Sequence, residues 1–370
     1  ITGSVGKTGS KDMLAHILTN FSQTHASQSS FNNYLGVPIT LSTLPANYKF
    51  GIQEMGMNAS GEIATLTALA RPDVAMITRV TSAHSGFFHS LDDIAMAKAE
   101  IFCGLSDGGV AVLNLDDTYF PMLALSAKKA GASRIITFGK NQRAEFCLID
   151  ACQNPNGMNV QAKVLGEELN FDMEMHGTHW AENALGVLAC VEALGLCTKK
   201  ASSLLASCPT PKGRGTRLKG HYKGHPITLI DDSYNASPES MTAAFASMLG
   251  TPPNIMILSE MRELGNTTAI EHKALIKHIN AMSPRFVIAL GPALHETIGE
   301  LNNNINAVAA EDAVDAYEAL KTIIKDDDVV FIKGSLSSGA SKVRDAIVTE
   351  LRLNSSTDLT SYNGGDTHAT

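Results

Sequence analysis

Thr2-Gly3-Ser4-Val5-Gly6-Lys7-Thr8 stands one residue into the chain and decides how the rest is read. It is the body of a phosphate-binding loop. Glycines let backbone N–H groups close on phosphate oxygens, the lysine reaches the β- and γ-phosphates, and the threonine hydroxyl holds Mg²⁺. The glycine that opens the full motif is missing, but an apolar entry and a helical exit over 11–18 complete the pattern. An incidental glycine-rich turn is the competing reading. A loop of this kind is entered from a strand, so further chain is expected ahead of Ile1.

Outward from the loop, strands and helices alternate. Strands are expected over 48–54, 73–80, 109–114 and 133–138, with helices over 60–69, 91–105 and near 120–130. That rhythm predicts a parallel sheet with helices on both faces. Residues 145–175 break it: apolar and polar residues alternate around Asn154-Pro155-Asn156-Gly157 and read as antiparallel hairpins. Helices over 179–194 and 199–207 follow, then a Pro/Gly-rich linker over 209–215. A second series has strands over 226–230, 254–258, 286–290 and 328–333, and helices over 238–248, 269–281, 310–325 and 339–353. The fold class is therefore α/β. A P-loop parallel-sheet ATPase domain is expected over 1–208 and a smaller Rossmann-like α/β domain over 209–353. Residues 354–370, rich in Ser, Thr, Asn and Gly, read as a disordered tail.

Composition narrows the partners. The 370 residues are 44% hydrophobic and 18% charged, enough for two or three sizeable cores. A net charge of −8 without basic runs argues against nucleic acid. The six cysteines (103, 147, 152, 190, 197, 208) form no C-x-x-C pair and read as reduced thiols. No apolar stretch reaches the ~20 residues of a membrane span. A cytoplasmic monomer acting on small molecules is the reading.

In open parallel sheets, ligands sit at the carboxyl ends of strands. Lys7 and Thr8 follow the first strand, Glu54 ends the next, His84 follows the third, and Asn114 and Asp116 end the fourth. Glu54 and His84 could meet a metal there, although each taken alone is also an ordinary solvated or polar residue. Lys98 is set among Ala95, Met96, Ala97, Ala99 and Ile101. It could lay its stem along an apolar face with its ammonium in water. Buried, its pKa would fall, and the neutral amine could add CO₂ to give a carbamate, an anionic oxygen ligand.

Here the residues carry a resemblance. The loop at Thr2–Thr8, Phe31-Asn32-Asn33-Tyr34-Leu35-Gly36-Val37-Pro38, Glu54-Met55-Gly56, Ala83-His84, Ala97-Lys98-Ala99-Glu100-Ile101, Asn114-Leu115-Asp116, the helix with Glu182-Asn183-Ala184 and Asp231-Asp232-Ser233-Tyr234-Asn235-Ala236-Ser237-Pro238 resemble the Mur ligases of peptidoglycan synthesis, in order, from residue 1 to about 353. The family's amino-terminal domain, which holds a uridine nucleotide, has no counterpart here.

The resemblance implies an ATP-dependent ligase with two Mg²⁺, joining a muramoyl-tripeptide nucleotide to D-alanyl-D-alanine. It implies that Gly3, Ser4, Val5, Gly6, Lys7 and Thr8 hold the triphosphate, and that Thr8, Glu54, His84 and Lys98 serve the metals, Lys98 as a carbamate. Asn183 would contact adenine, and Arg214 would lie near the γ-phosphate. Asp232, Tyr234 and Asn235 would sit at the second-domain ATP motif. Asn32 and Asn33 would lie near the metal and the acyl phosphate. Four departures stand out: Val5 for Asn, Gly9-Ser10 for threonines, Ser259-Glu260 for Gly-Asp, and Ser237 for Asn. A folylpolyglutamate synthase or another Mur ligase, a P-loop ATPase without ligase activity, and a binding module that has lost catalysis are the alternatives.

Overall fold

A computed structural model describes residues 1–28, 31–81, 88, 90–248 and 250–353. His84 and the tail over 354–370 lie outside them. The chain divides into two compact units, Ile1–Cys208 and Pro209–Thr370.

The first unit opens with α1 (Lys7–Thr19), whose Met13, Leu14, Ile17 and Leu18 recur at helical spacing and are buried. β1 (Thr24–Ala26), α2 (Gly36–Ser42), β2 (Phe50–Ile52) and α3 (Glu62–Ala70) follow. Next come β3 (Val74–Ile77), α4 (Leu91–Ala99), β4 (Val110–Asn114), α5 (Phe120–Lys129) and β5 (Arg134–Gly139). β6 (Phe146–Asn154), β7 (Gly157–Val164), β8 (Glu167–Met173), α6 (Thr178–Ala193) and α7 (Thr198–Leu204) complete it. β3, β4, β5 and β6 pair in parallel, and β7 and β8 extend the same sheet antiparallel. Successive residues of β3 and β4 face opposite cores. Met76 and Val112 point to the side of α1 and α6, while Ala75, Ile77, Ala111 and Leu113 point to that of α3, α4 and α5. Burial on both faces is why these strands read as unbroken apolar runs.

Two expectations change here. The strand expected over 48–54 shrinks to β2 and pairs with β1 as a separate two-stranded parallel sheet, not with the main sheet. Ile1–Thr2 fills the space between: Met55 N–H donates to the Ile1 carbonyl (2.8 Å), and Thr2 bridges Met76 and Thr78 (2.9 Å each). The helix expected over 91–105 ends at Ala99 and tightens into a 3₁₀ turn, Glu100–Gly104. Gly104 sits so near α3 that a Cβ there would stand 2.3 Å from the Thr67 carbonyl oxygen. Glu100 turns to the start of α3, accepting from Gly61 N–H (2.7 Å) and Ala64 N–H (3.1 Å).

The second unit begins with β9 (Thr216–Tyr222), which the sequence reading missed, hairpinned to β10 (His225–Asp232). Their turn, Lys223-Gly224, has φ 52° and 91°, the left-handed pair a two-residue hairpin needs. α8 (Pro238–Ser247), β11 (Ile255–Ser259), α9 (Thr268–Lys273), α10 (Ile276–Met282), β12 (Phe286–Leu290) and α11 (Pro292–Ile298) follow. Then come β13 (Asn306–Ala310), α12 (Ala313–Ile323), β14 (Asp328–Lys333), α13 (Ala340–Glu350) and β15 (Arg352–Leu353). Strand order is β13-β12-β11-β14-β10-β9-β15, parallel from β13 to β10. α11 and β13 were also missed. The helix expected over 269–281 is split, because Leu275 and His278 N–H groups bond three residues back rather than four.

Candidate active site

The loop Gly3–Thr8 is held by its neighbours. Ser4 N–H donates to the Arg79 carbonyl (2.7 Å), and Ser4 Oγ exchanges bonds with the backbone of Thr81 (3.0 and 2.9 Å). Thr78 Oγ1 donates to the Val5 carbonyl (2.5 Å). Gly3 (φ 150°) and Gly6 (φ 85°) carry the bends, and α1 starts straight after Gly6. Lys7 folds back over the loop, its Nζ donating to the Gly3 carbonyl (2.7 Å). Thr8 is buried in the first turn. Val5 joins this network through its carbonyl, which any residue at that position would supply.

Asn183, on α6, lies against this loop. A methyl added at Gly6 would stand 2.9 Å from Asn183 Oδ1. The preceding residue, Glu182, pairs with Lys140 (2.7 Å) and Arg79 (3.5 Å), tying α6 to the segments that follow β5 and β3. α6 also explains one departure from the family pattern. A side chain at Gly9 would meet the Trp180 ring at 2.4 Å, so this chain's tryptophan demands a glycine where threonine is common.

Glu54 is 1% exposed. Asn32 Nδ2 donates to its Oε1 (2.7 Å), while Oε2 is buried without a hydrogen-bonding partner among the described residues. An orphaned anionic oxygen beside a phosphate loop suits a divalent cation, which wants oxygen ligands. Lys98 is 2% exposed. Burial first, and then the Lys7 cation, push its pKa well below the ordinary lysine value. The Lys7 charge thus adds to burial in disfavouring an ammonium at Lys98. The structure excludes the ordinary alternative for Lys98, an ammonium kept in water. Among the described residues no group of three or more His, Cys, Asp or Glu side chains gathers to hold a metal.

Other expected residues serve the backbone. Asn33 Oδ1 accepts from Leu35 and Gly36 N–H (3.1 and 2.9 Å), setting the start of α2. Asn114 Oδ1 accepts from Asp116 N–H (2.8 Å), and Asp116 from Asn141 N–H (2.9 Å).

In the second unit the Asp231–Asn235 segment is tightly organised. Asp231, wholly buried, takes Ser233 Oγ (2.6 Å) and Arg344 (3.0 Å). Lys333 Nζ donates to Asp232 Oδ2 (2.7 Å) and to the Asn235 carbonyl (3.0 Å). Burial raises the Asp232 pKa, and Lys333 opposes the rise. Arg214 stacks on the Tyr234 ring, 4.4 Å from its centroid. Ser237, another departure, caps α8 with Ser240 in a reciprocal box. Lys333 and Arg344 escaped the sequence reading. A lysine closing the apolar run Val329–Ile332 was the available signal, because a charge at a buried strand's carboxyl end needs a partner.

Residues 1–191 match the family described as the Mur ligase middle domain, and residues 213–336 match the Mur ligase glutamate ligase domain. The UDP-N-acetylmuramoyl-tripeptide–D-alanyl-D-alanine ligase of Rickettsia prowazekii is 30% identical over 347 residues, covering 93% of this chain and 76% of that protein. Two solved structures are similar. MurF from Acinetobacter baumannii has a TM-score of 0.83 at 26% identity, covering 94% of this chain and 75% of that one. MurF from Thermotoga maritima in complex with ADP has a TM-score of 0.82 at 25% identity, covering 95% and 79%.

Proposed function

The chain belongs to the Mur ligase family, and from that premise we propose that it joins D-alanyl-D-alanine to a UDP-N-acetylmuramoyl tripeptide in peptidoglycan precursor synthesis, with ATP converted to ADP and phosphate. The observation that carries the reading is the meeting, in one unit, of the Gly3–Thr8 loop, Asn183 against Gly6, and the buried Glu54 and Lys98.

A peptide carboxylate is a poor electrophile. Its oxygen attacks the γ-phosphorus, the bond to ADP breaks, and an acyl phosphate forms. The dipeptide amine then attacks the acyl carbon, loses a proton, and inorganic phosphate leaves. Lys7 and the loop N–H groups would hold and neutralise the transferring phosphoryl group, and Asn183 would position the base of the nucleotide. Thr8, Glu54, a Lys98 carbamate and His84 (outside the described residues) would hold two Mg²⁺, which supply charge neutralisation at the phosphates. Lys98 suits the modification because burial favours its neutral amine, the form that adds CO₂. Arg214, Asp232, Tyr234 and Asn235 are the proposed ATP-facing set of the second unit, with Asp232 and Asn235 held by Lys333. Asn33 would act through the loop it shapes.

No described helix is long and apolar enough to cross a membrane. We place the reaction in the cytoplasm, where ATP is available, on a monomer. Incubation of the full-length protein with ATP, Mg²⁺ and both substrates should yield ADP and a pentapeptide nucleotide by mass. ADP formed equally fast without the dipeptide would favour a plain ATPase instead.

A further inference from the structure

We propose that Arg262 binds the carboxylate of the acceptor dipeptide and sets the preference for an acceptor with a free carboxyl terminus. The inference rests on the ligase reading above. From β10 the chain steps outward through β11, β12 and β13, then returns so that β14 lies between β10 and β11. The carboxyl ends of β11 and β14 therefore flank the topological switch point of this sheet, where open α/β sheets take their ligands.

Arg262 follows β11 at that point and is fixed from two sides. Its own N–H donates to Ser335 Oγ (3.1 Å), just past β14. The N–H of Met261 donates to Nε2 of His272 (3.0 Å), a fully buried ring whose Nδ1 faces the Thr268 carbonyl (2.7 Å). The neutral Nδ1–H tautomer satisfies both contacts. Glu260 accepts from Ala293 N–H through Oε1 (2.8 Å) and meets the Arg262 guanidinium through Oε2 (3.2 Å). The guanidinium is nevertheless 54% exposed. Glu260 occupies one edge of a planar five-donor fork, and the rest can grip a second carboxylate in bidentate fashion.

Three other cations of this unit are engaged: Lys333 with Asp232 and Asn235, Arg344 with Asp231, and Arg214 with the Tyr234 ring. The acceptor's amine does the chemistry, and its carboxylate does none. Drawn from water without a cation, that carboxylate would be strongly disfavoured.

The test compares D-alanyl-D-alanine with its carboxyl-terminal amide, using full-length protein saturated with ATP and the muramoyl tripeptide. Wild type should prefer the acid by about 10- to 100-fold in kcat/KM, the range for a hydrogen bond to a charged group. Arg262→Met should lose that preference to within about threefold, through the KM of the acid, with the KM for ATP unmoved. Arg262→Lys should keep part of it, as a point charge without the fork. A wild type that uses the amide as well as the acid overturns the proposal without any variant. So does an Arg262→Met protein whose acid-to-amide ratio equals that of wild type. A wild type that ligates neither acceptor overturns the ligase reading itself, and this proposal with it.

Discussion

Replacing Glu54 by glutamine should make the protein slightly more stable and far less active. The side chain is 1% exposed, Asn32 occupies Oε1 at 2.7 Å, and Oε2 is buried without a partner among the described residues. Glutamine keeps the shape. Its carbonyl oxygen can retain the Asn32 bond while a neutral amide nitrogen stands where Oε2 stood. An unsatisfied buried polar group costs about 1–3 kcal/mol, more when charged, and the amide still leaves its own donor unmet. A net gain of about 1 kcal/mol is expected, or about 2–4 °C in Tm for a unit of this size. Without the anion, cation binding beside the triphosphate weakens, and the rate should fall ~10²- to 10³-fold, as for other transition-state charge contacts. Thermal unfolding without nucleotide or divalent ion measures the first effect, and phosphate release under saturating ATP and Mg²⁺ the second. The Tm increase that ATP and Mg²⁺ give wild type should also shrink in the variant. A variant with wild-type turnover, or one that melts several degrees lower, refutes the idea that Oε2 is an anion held open for a cation.

Lys7→Ala should reduce phosphate release ~10²-fold or more, since it removes the cation folded over the phosphate loop. Lys98→Ala should be nearly inactive and partly restored by a small added carboxylate; wild type should show a carbon-13 carbamate signal in labelled bicarbonate that the variant lacks. In CO₂-free buffer, Lys98 gives a pH signature. Its folded pKa lies well below 10.5, so unfolding takes up a proton and stability rises with pH up to the unfolded value. Denaturant midpoints should therefore climb above neutral pH in wild type and climb less in Lys98→Met. Arg344→Met takes the guanidinium from the wholly buried Asp231 and should cost about 3–5 kcal/mol, read from urea unfolding.

What was legible in the sequence was local. The phosphate loop could be read because its function lies in consecutive backbone: glycines at Gly3 and Gly6 and a lysine that reaches back over its own turn. The central strands could be read because burial on both faces leaves an apolar run. β9 was missed because its polar and apolar residues follow a Pro/Gly segment that resembles a linker. α11 and β13 were missed because each is short and begins beside glycine or asparagine. β1 escaped because it has only three residues, and with it the pairing that sets β2 in a separate sheet.

Residue order thus determined that this chain would bind a phosphate, that strands and helices would alternate, and that a family resemblance would point to ligation. Tertiary structure decided which candidates share a place. It set Asn183 against Gly6, gave Asn32 to one oxygen of Glu54 and left the other without a partner among the described residues, and buried Lys98 in the field of Lys7. It turned Asn33, Asn114 and Asp116 to backbone N–H groups and joined Lys333 to Asp232. The physical reason is that backbone conformation depends on neighbours along the chain, whereas desolvation and charge pairing depend on which strands become adjacent, and no short stretch of sequence contains that information.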